Sequence, residues 1–359
     1  MSGKAWRNPA FFSGMGGIPV FLADLARVTG DAHLTTLARD GMRWILAEPQ
    51  LNADPDDLSL YFGTAGIGMT ALRVHLALGE AEWLHAAETL AVELEGKTTG
   101  GPDVMSGDAG ILIFLLALHR ATRHQRWLDT ATAYGDQILA AARPDRDGLA
   151  WDWTRRSGVV QGSGFAHGAS GIGYALVELY AETQAPRFRD VAFGALAWID
   201  TLAEDTPQGA GWRRYPRDDD PPRVQWCHGA AGIGLFGAHG FARTGDPAFA
   251  DLMRRCADAT RAAGDVRQNP SQCHGLAGNG ELFIEMARLH NDADALNDAH
   301  RFGALASTYH DGEGGNERWV SDEPGEFNLA FMLGAAGTGH YFLRLARPSE
   351  VEMPLMAGA

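Results

Sequence analysis

Apolar residues along the chain fall into two alternating kinds of stretch. One kind is apolar on nearly every side, as in GILIFLLAL over 110–118. The other carries a single apolar stripe at helical spacing. From Phe188 it runs through Val191, Ala192, Ala195, Ile199 and Leu202, and from Phe249 through Leu252, Met253, Cys256 and Ala263. A stripe at 3.6-residue spacing predicts an amphipathic helix lying on a core, and an all-round apolar stretch predicts a helix inside one. Each all-apolar stretch opens on a Gly-x-x-Gly element, with copies beginning at Gly14, Gly63, Gly107, Gly168, Gly229, Gly275 and Gly334. YFGTAGIGMTAL, FAHGASGIGYAL and FMLGAAGTGHYF are examples, while the first copy, FFSGMGGIPVFL, is looser. Successive copies lie 44 to 61 residues apart, room for two helices and their loops. A period of that size marks a repeat architecture.

The expected fold is therefore all-α, a double-layered α/α toroid (barrel) of about seven helical hairpins, inner helices apolar and outer ones amphipathic. An open solenoid is the alternative. It would want polar capping repeats, and the terminal copies, MGGIPVFLADL and AAGTGHYFLRL, are no more polar than the rest. The repeats occupy the whole chain, so residues 1–359 read as one domain. Two segments break the pattern: 144–164 (PDRDGLAWDWTRRSGVVQGSG) and 205–225 (DTPQGAGWRRYPRDDDPPRVQ). Each leads into a histidine-bearing glycine motif, and their tryptophans favour ordered loops that line a site.

Composition narrows the partners. A formal net charge of −15 argues against nucleic acid, whose phosphates would be repelled. No secretory layout opens the sequence, and the most apolar run, Ile111 to Leu118, is far short of the ~20 residues of a spanning helix. Three cysteines in 359 residues make no disulfide framework, so the expected compartment is the cytoplasm.

Three consecutive repeats place reactive side chains in register: Ala166-His167-Gly168, Cys227-His228-Gly229 and Cys273-His274-Gly275. In a ring of repeats, equivalent positions share one end of the axis. Two cysteines and up to three histidines should then converge in one mouth. Two thiolates and an imidazole make a three-ligand zinc set with the fourth position left to water or substrate. His274 follows Cys273 directly and Cys227 arrives from the neighbouring repeat. Buried thiols and packed core histidines are the plain alternative, and a Cys227–Cys273 disulfide is disfavoured by the compartment. Cys256 lies on an outer-helix stripe and reads as core. Zinc holds a bound thiol as thiolate at neutral pH, and two cysteinate ligands keep that thiolate nucleophilic. No His-Glu-x-x-His helix of a hydrolytic zinc site is present.

At these residues, Trp226-Cys227-His228-Gly229 and Cys273-His274-Gly275 with the seven glycine elements, the chain resembles the lanthionine synthetase C family, over essentially its whole length. The resemblance implies an α/α toroid with one zinc ion at its mouth, held by Cys227, Cys273 and His274. It implies addition of a peptide cysteine thiol to dehydroalanine or dehydrobutyrine, forming lanthionine or methyllanthionine rings. It further implies His167 as acid/base, Asp103 of PDVMSG beside the metal site, and Arg223 as the active-site arginine. Protonation of the enolate carbon suits a histidine, and an arginine suits the enolate oxygen. A capping role for Asp103 and a solvated loop position for Arg223 are the plain readings. His228 is the next candidate acid. It stands where standalone bacterial cyclases commonly carry Tyr, and the Gln225-Trp226-Cys227-His228 run instead resembles eukaryotic LanC-like proteins, which are linked to glutathione, and the cyclase domains of fused synthetases. A glutathione-adding enzyme and a non-catalytic binding scaffold are therefore the alternatives. The repeats leave no room for a kinase or dehydratase. The implied partners are a dehydrated precursor peptide and a separate dehydratase or kinase/lyase protein, unless the chain is a separated domain of a longer enzyme.

Overall fold

A computed structural model describes residues 8–47, 57–155, 158–207, 209–265, 269–313, 318–321 and 327–358. Seven inner helices start just after the glycine elements: α1 (Gly17–Thr29), α3 (Thr64–Leu78), α5 (Asp108–Thr122), α7 (Ala169–Thr183), α9 (Ala230–Thr244), α11 (Leu276–His290) and α13 (Ala335–Ala346). The outer helices are α2 (Ala32–Ala47), α4 (Ala81–Leu94), α6 (Gln125–Ala141), α8 (Pro186–Asp200), α10 (Pro247–Ala263) and α12 (Ala293–Ser307). Each outer helix packs on the inner helix before it, and each inner helix packs on the next, with α13 closing on α1. The expected double-layered toroid is present. Among the described residues the seventh repeat has only its inner helix.

Burial follows the two patterns read from the sequence. Every residue of α5 from Asp108 to His119 is buried, whereas α10 buries only Phe249, Leu252, Cys256, Ala257, Ala259 and Thr260. Inner and outer helices are joined by one repeated two-residue turn. Its first residue is left-handed in all six: Gly30, Gly79, Arg123, Gln184, Gly245 and Asn291, with φ between 54° and 74°. A left-handed residue ends a helix by turning its last amides back onto the final carbonyls. The Asp246 and Asp292 carboxylates then cap the next helix, accepting from the amides of Ala248 and Ala295.

Glycine at the fourth position of the element is dictated by contact. A Cβ at Gly66, Gly110, Gly171, Gly232, Gly278 or Gly337 would lie 1.8–2.3 Å from a carbonyl oxygen of the preceding loop. That loop residue is Leu60, Val104, Phe165, Trp226, Gln272 or Phe331. The close approach brings seven loops together at one end of the barrel. There the residue two before each first glycine donates its amide to the carbonyl of its counterpart in the next repeat. Phe12 bonds Tyr61 (3.0 Å), Tyr61 Met105 (3.3 Å), Met105 Ala166 (3.2 Å) and Ala166 Cys227 (3.1 Å). Cys227 bonds Cys273 (3.1 Å), Cys273 Met332 (2.9 Å) and Met332 returns to Phe12 (3.3 Å). The ring of hydrogen bonds is complete.

At the opposite end, residues 347–358 cross the base of the barrel. The Arg73 side chain donates to the carbonyls of Pro354 (2.8 Å) and Met356 (2.7 Å), and Arg120 to that of Gly358 (2.6 Å). Beneath this crossing lies a buried ionic cluster. Glu178 meets Arg120 (2.8 Å), His239 (3.0 Å) and Arg243 (3.1 Å). Glu285 meets His239 (3.1 Å), Arg288 (2.8 Å) and Arg344 (2.5 Å), and Arg344 also pairs with Glu281.

The described residues of the two segments outside the repeat include antiparallel hairpins: β1 (Arg143–Asp145) with β2 (Gly148–Ala150), β3 (Asp152–Arg155) with β4 (Gly158–Gln161), and β5 (Glu204–Thr206) with β6 (Gly209–Gly211). A fourth pairs β7 (His310–Asp311) with β8 (Arg318–Trp319).

Candidate metal centre

The loops that form the hydrogen-bonded ring also present the reactive side chains. Cys227 and Cys273 are neighbours in that ring, so their backbones are bonded directly and their thiols point into the same mouth. Gly229 just beyond Cys227 has φ 126°, a conformation that L side chains rarely adopt, and a Cβ there would meet the Arg223 carbonyl at 2.0 Å. The ligand atoms of Cys227, Cys273 and His274 all lie within 4.8 Å of one another, with both cysteines buried and His274 partly exposed. Tetrahedral zinc with sulfur at ~2.3 Å separates its ligand atoms by roughly 4 Å. The three side chains therefore fit one metal ion, with an open side toward His274.

The Cys227 thiol is held down to about 5 by its hydrogen bond with Cys273 and then by His274 and Arg214, against the opposing effect of burial. A thiol that ionises easily is what a metal ligand requires. Cys256 is the contrast. It is fully buried on α10, burial pushes its pKa well up, and it stays in the core as the sequence suggested.

His167, one repeat away, lies outside the three-residue cluster. Its Nδ1 is 3.2 Å from Asp103 Oδ2, and the two side chains are 14% and 2% exposed. The pair is close enough to attract but is not aligned as a hydrogen bond, and both atoms are buried without one. The other Asp103 oxygen accepts from the Ser106 amide at 2.6 Å, so this aspartate caps its own turn and faces the histidine. His228 is buried, and burial first, then Arg214 and His167, pushes its pKa well below the usual histidine range. It is held neutral. Arg223 is half-exposed and bonded to Asp220 at 2.7 Å, while its backbone bridges to Trp212.

Sequence reading of the two irregular segments stopped at loops that line a site. The structure supplies the residues. Trp153 on β3 stacks on the His167 ring at 4.6 Å, and Tyr215 lies 6.2 Å from Trp153 and 6.2 Å from His228. Arg214 sits over the Tyr215 ring at 4.8 Å. The run Trp212 to Tyr215, GWRRYP in context, was the available signal: large aromatic and guanidinium groups in a loop that enters a motif.

The model of the lanthionine synthetase C-like protein family matches residues 5–356. The chain belongs to that family. Among curated proteins, this LanC-like chain is similar to glutathione S-transferase LANCL1 of Danio rerio, 23% identical and covering 86% of the chain and 87% of the relative. Among solved structures, nisin cyclase superposes with a TM-score of 0.71 at 17% identity, covering 98% of the chain and 91% of that structure. An inactive variant of the α-1,6-mannanase GH76A of Salegentibacter sp. HEL1_6 superposes at 0.56 with 14% identity, over 80% and 88%. The last two likenesses concern the fold. No described helix is long and apolar enough to cross a membrane.

Proposed function

We propose that this LanC-like protein joins a thiol to a dehydrated Ser or Thr residue, and that the thiol is a cysteine of the same peptide, giving a lanthionine or methyllanthionine ring. The observation that carries this reading is the meeting of Cys227, Cys273 and His274 within 4.8 Å, with the Asp103–His167 pair on the adjoining repeat. When bound, one zinc ion at the cluster would keep the substrate sulfur as a thiolate at neutral pH. The thiol proton passes to His167 Nε2, the sulfur pair forms a C–S bond at the β-carbon, and the π pair moves to the acyl oxygen as an enolate. His167, its Nδ1 turned to Asp103, has Nε2 free to deliver a proton to the α-carbon. Arg223 serves the enolate oxygen by exchanging its Asp220 contact for substrate. His228, held neutral by burial, carries no imidazolium proton to give and is the weaker candidate acid. The dehydrated peptide then comes from a separate dehydratase or kinase/lyase partner, and the reaction takes place in the cytoplasm.

A second reading has one specific support: the curated relative named for glutathione transfer matches along most of its length. In that reading the thiol is glutathione and the same residues act. One experiment separates the two. Zinc-loaded protein is given a dehydrated peptide with one free cysteine, with and without glutathione, and products are counted by mass after thiol alkylation. A ring closes with no mass change and an alkylation-resistant sulfur, whereas glutathione adds its own mass. Neither product, from folded and zinc-loaded protein, leaves a binding scaffold and sinks both.

A further inference from the structure

The loop between β6 and Cys227 carries several arginines, and they are not used alike. Arg213 is bound by Glu204 at 2.6 Å and by the carbonyls of Asp218 and Asp220. Arg223 is bound by Asp220 and borders a cavity of about 540 Å³ on the outer side, shared with Pro221, Pro222 and Ala263. Arg214 makes no ion pair with any described residue, and its Nε is buried without a hydrogen bond. Yet it is firmly placed. Its carbonyl accepts from the Ser163 amide at 3.3 Å, and the Ser163 hydroxyl donates to the Arg213 carbonyl at 2.6 Å. Those two bonds hold it against the loop that ends in His167. Its guanidinium lies over Tyr215, whose ring adjoins His228, and its charge is felt at both Cys227 and His228. A guanidinium whose Nε is buried without an acceptor is costly at that atom unless an acceptor arrives.

We propose that Arg214 is a substrate-binding residue that takes the acyl oxygen of the dehydroamino acid, and that this contact strengthens as the enolate forms. The inference rests on the thiol-addition reading above and adds a second arginine to it. The balance of the step is unchanged: the C–S bond forms as the C=C π bond breaks, and its electron pair settles on the oxygen facing Arg214. His167 then supplies the proton to the α-carbon. Arg214 fits this task because its charge is unspent and its five donors can follow an oxygen whose charge grows. Holding the oxygen also fixes which face of the double bond meets the sulfur.

The test uses full-length, zinc-loaded Arg214→Met and Arg214→Lys beside the unaltered protein. The first probe is a dehydroalanine peptide with serine in place of its cysteine, which binds without turning over. The second is the cysteine-containing peptide, assayed for thioether formation. Arg214→Met is expected to keep its zinc and melting temperature and to bind the thiol-free peptide roughly tenfold more weakly. Its kcat should fall ~10²-fold, with partial recovery in added guanidinium and in Arg214→Lys. Unchanged binding and unchanged kcat in Arg214→Met overturn the proposal, as does a loss that tracks falling zinc content or melting temperature. Binding without thioether formation by the unaltered protein would sink the thiol-addition reading alone, because the binding comparison still judges Arg214. If the unaltered protein does not bind the thiol-free peptide, both fall.

Discussion

Both ends of the barrel bury ionisable side chains, and they treat them differently. At the base, Glu178 and Glu285 each face three cationic partners, and His239 bridges the two glutamates through both ring nitrogens. At the mouth, Asp103 Oδ2, His167 Nδ1, His228 Nδ1 and Arg214 Nε are buried without hydrogen bonds. The same fold thus matches its charges where only packing is at stake and leaves polar atoms unmatched where a ligand is to come. Unmatched buried polar atoms are rare in folded proteins; a few lie elsewhere, such as Trp127 Nε1 on an outer helix and His340 Nδ1, but only at the mouth do four ionisable side chains share the condition.

The comparison breaks most visibly at the metal ligands. Cys227→Ala, Cys273→Ala and His274→Ala should each lose most of the zinc and all measurable thioether formation while the barrel stays folded. Cys256→Ala should keep the metal. Elemental analysis beside circular dichroism reads this directly, and a Cys227→Ala protein with full zinc content would remove the site from the mouth.

The base should respond in stability. Glu178→Leu leaves Arg120, Arg243 and His239 facing an apolar group, and removing one partner of a buried ionic cluster costs about 3–5 kcal/mol. Denaturant unfolding should show that loss, with zinc content unchanged in the fraction that stays folded. A loss below ~1 kcal/mol would mean that the cluster is solvated and the contrast between the ends is false.

A sharper and smaller effect lies in pH. Burial alone pushes His239 down, but its bonds to Glu178 and Glu285 outweigh it and hold the imidazole above its ordinary value. The two glutamates are held well below theirs, by His239 and the arginines against burial. A raised histidine contributes stability fully below its unfolded pKa of about 6.5 and loses it as pH rises through the folded value. Depressed carboxylates contribute fully above about 4.3 and lose it as pH falls through the folded value. The cluster is therefore strongest between about pH 4.3 and 6.5. The stability gap between the unaltered protein and His239→Gln should be widest in that window and narrow in more alkaline solution. Melting temperatures across pH decide it, and a flat gap would mean a neutral His239.

The fold was legible because the same steric demand recurs. A carbonyl at 1.8–2.3 Å excludes any side chain at six fourth-position glycines, so the chain spells the start of each inner helix. The Cys227, Cys273 and His274 cluster was legible for the same reason, since register in a closed ring becomes proximity. What the sequence hid lies between helices or on hairpins. Trp153 reaches His167 only because β3 folds back over the mouth; its segment read as a site-lining loop, but nothing in it names the ring that Trp153 meets. The base cluster was hidden less well. Ten residues after the first glycine of each element stand Asp24, Arg73, Ala117, Glu178, His239, Glu285 and Arg344. An ionisable group at one depth in six of seven apolar helices is a periodic signal, invisible to any single-helix reading.

The ring that closes the mouth uses backbone atoms alone. Phe12, Tyr61, Met105, Ala166, Cys227, Cys273 and Met332 therefore occupy seven interchangeable sockets, each turned from the next by roughly one-seventh of a circle. What a socket holds is free to vary without loosening the closure. Two adjacent sockets hold thiols, and a third, Ala166, already has its histidine beside it. The scaffold thus separates the geometry of a chemical site from its contents, and a site can shift around the rim by exchanging side chains while the rim itself stays shut.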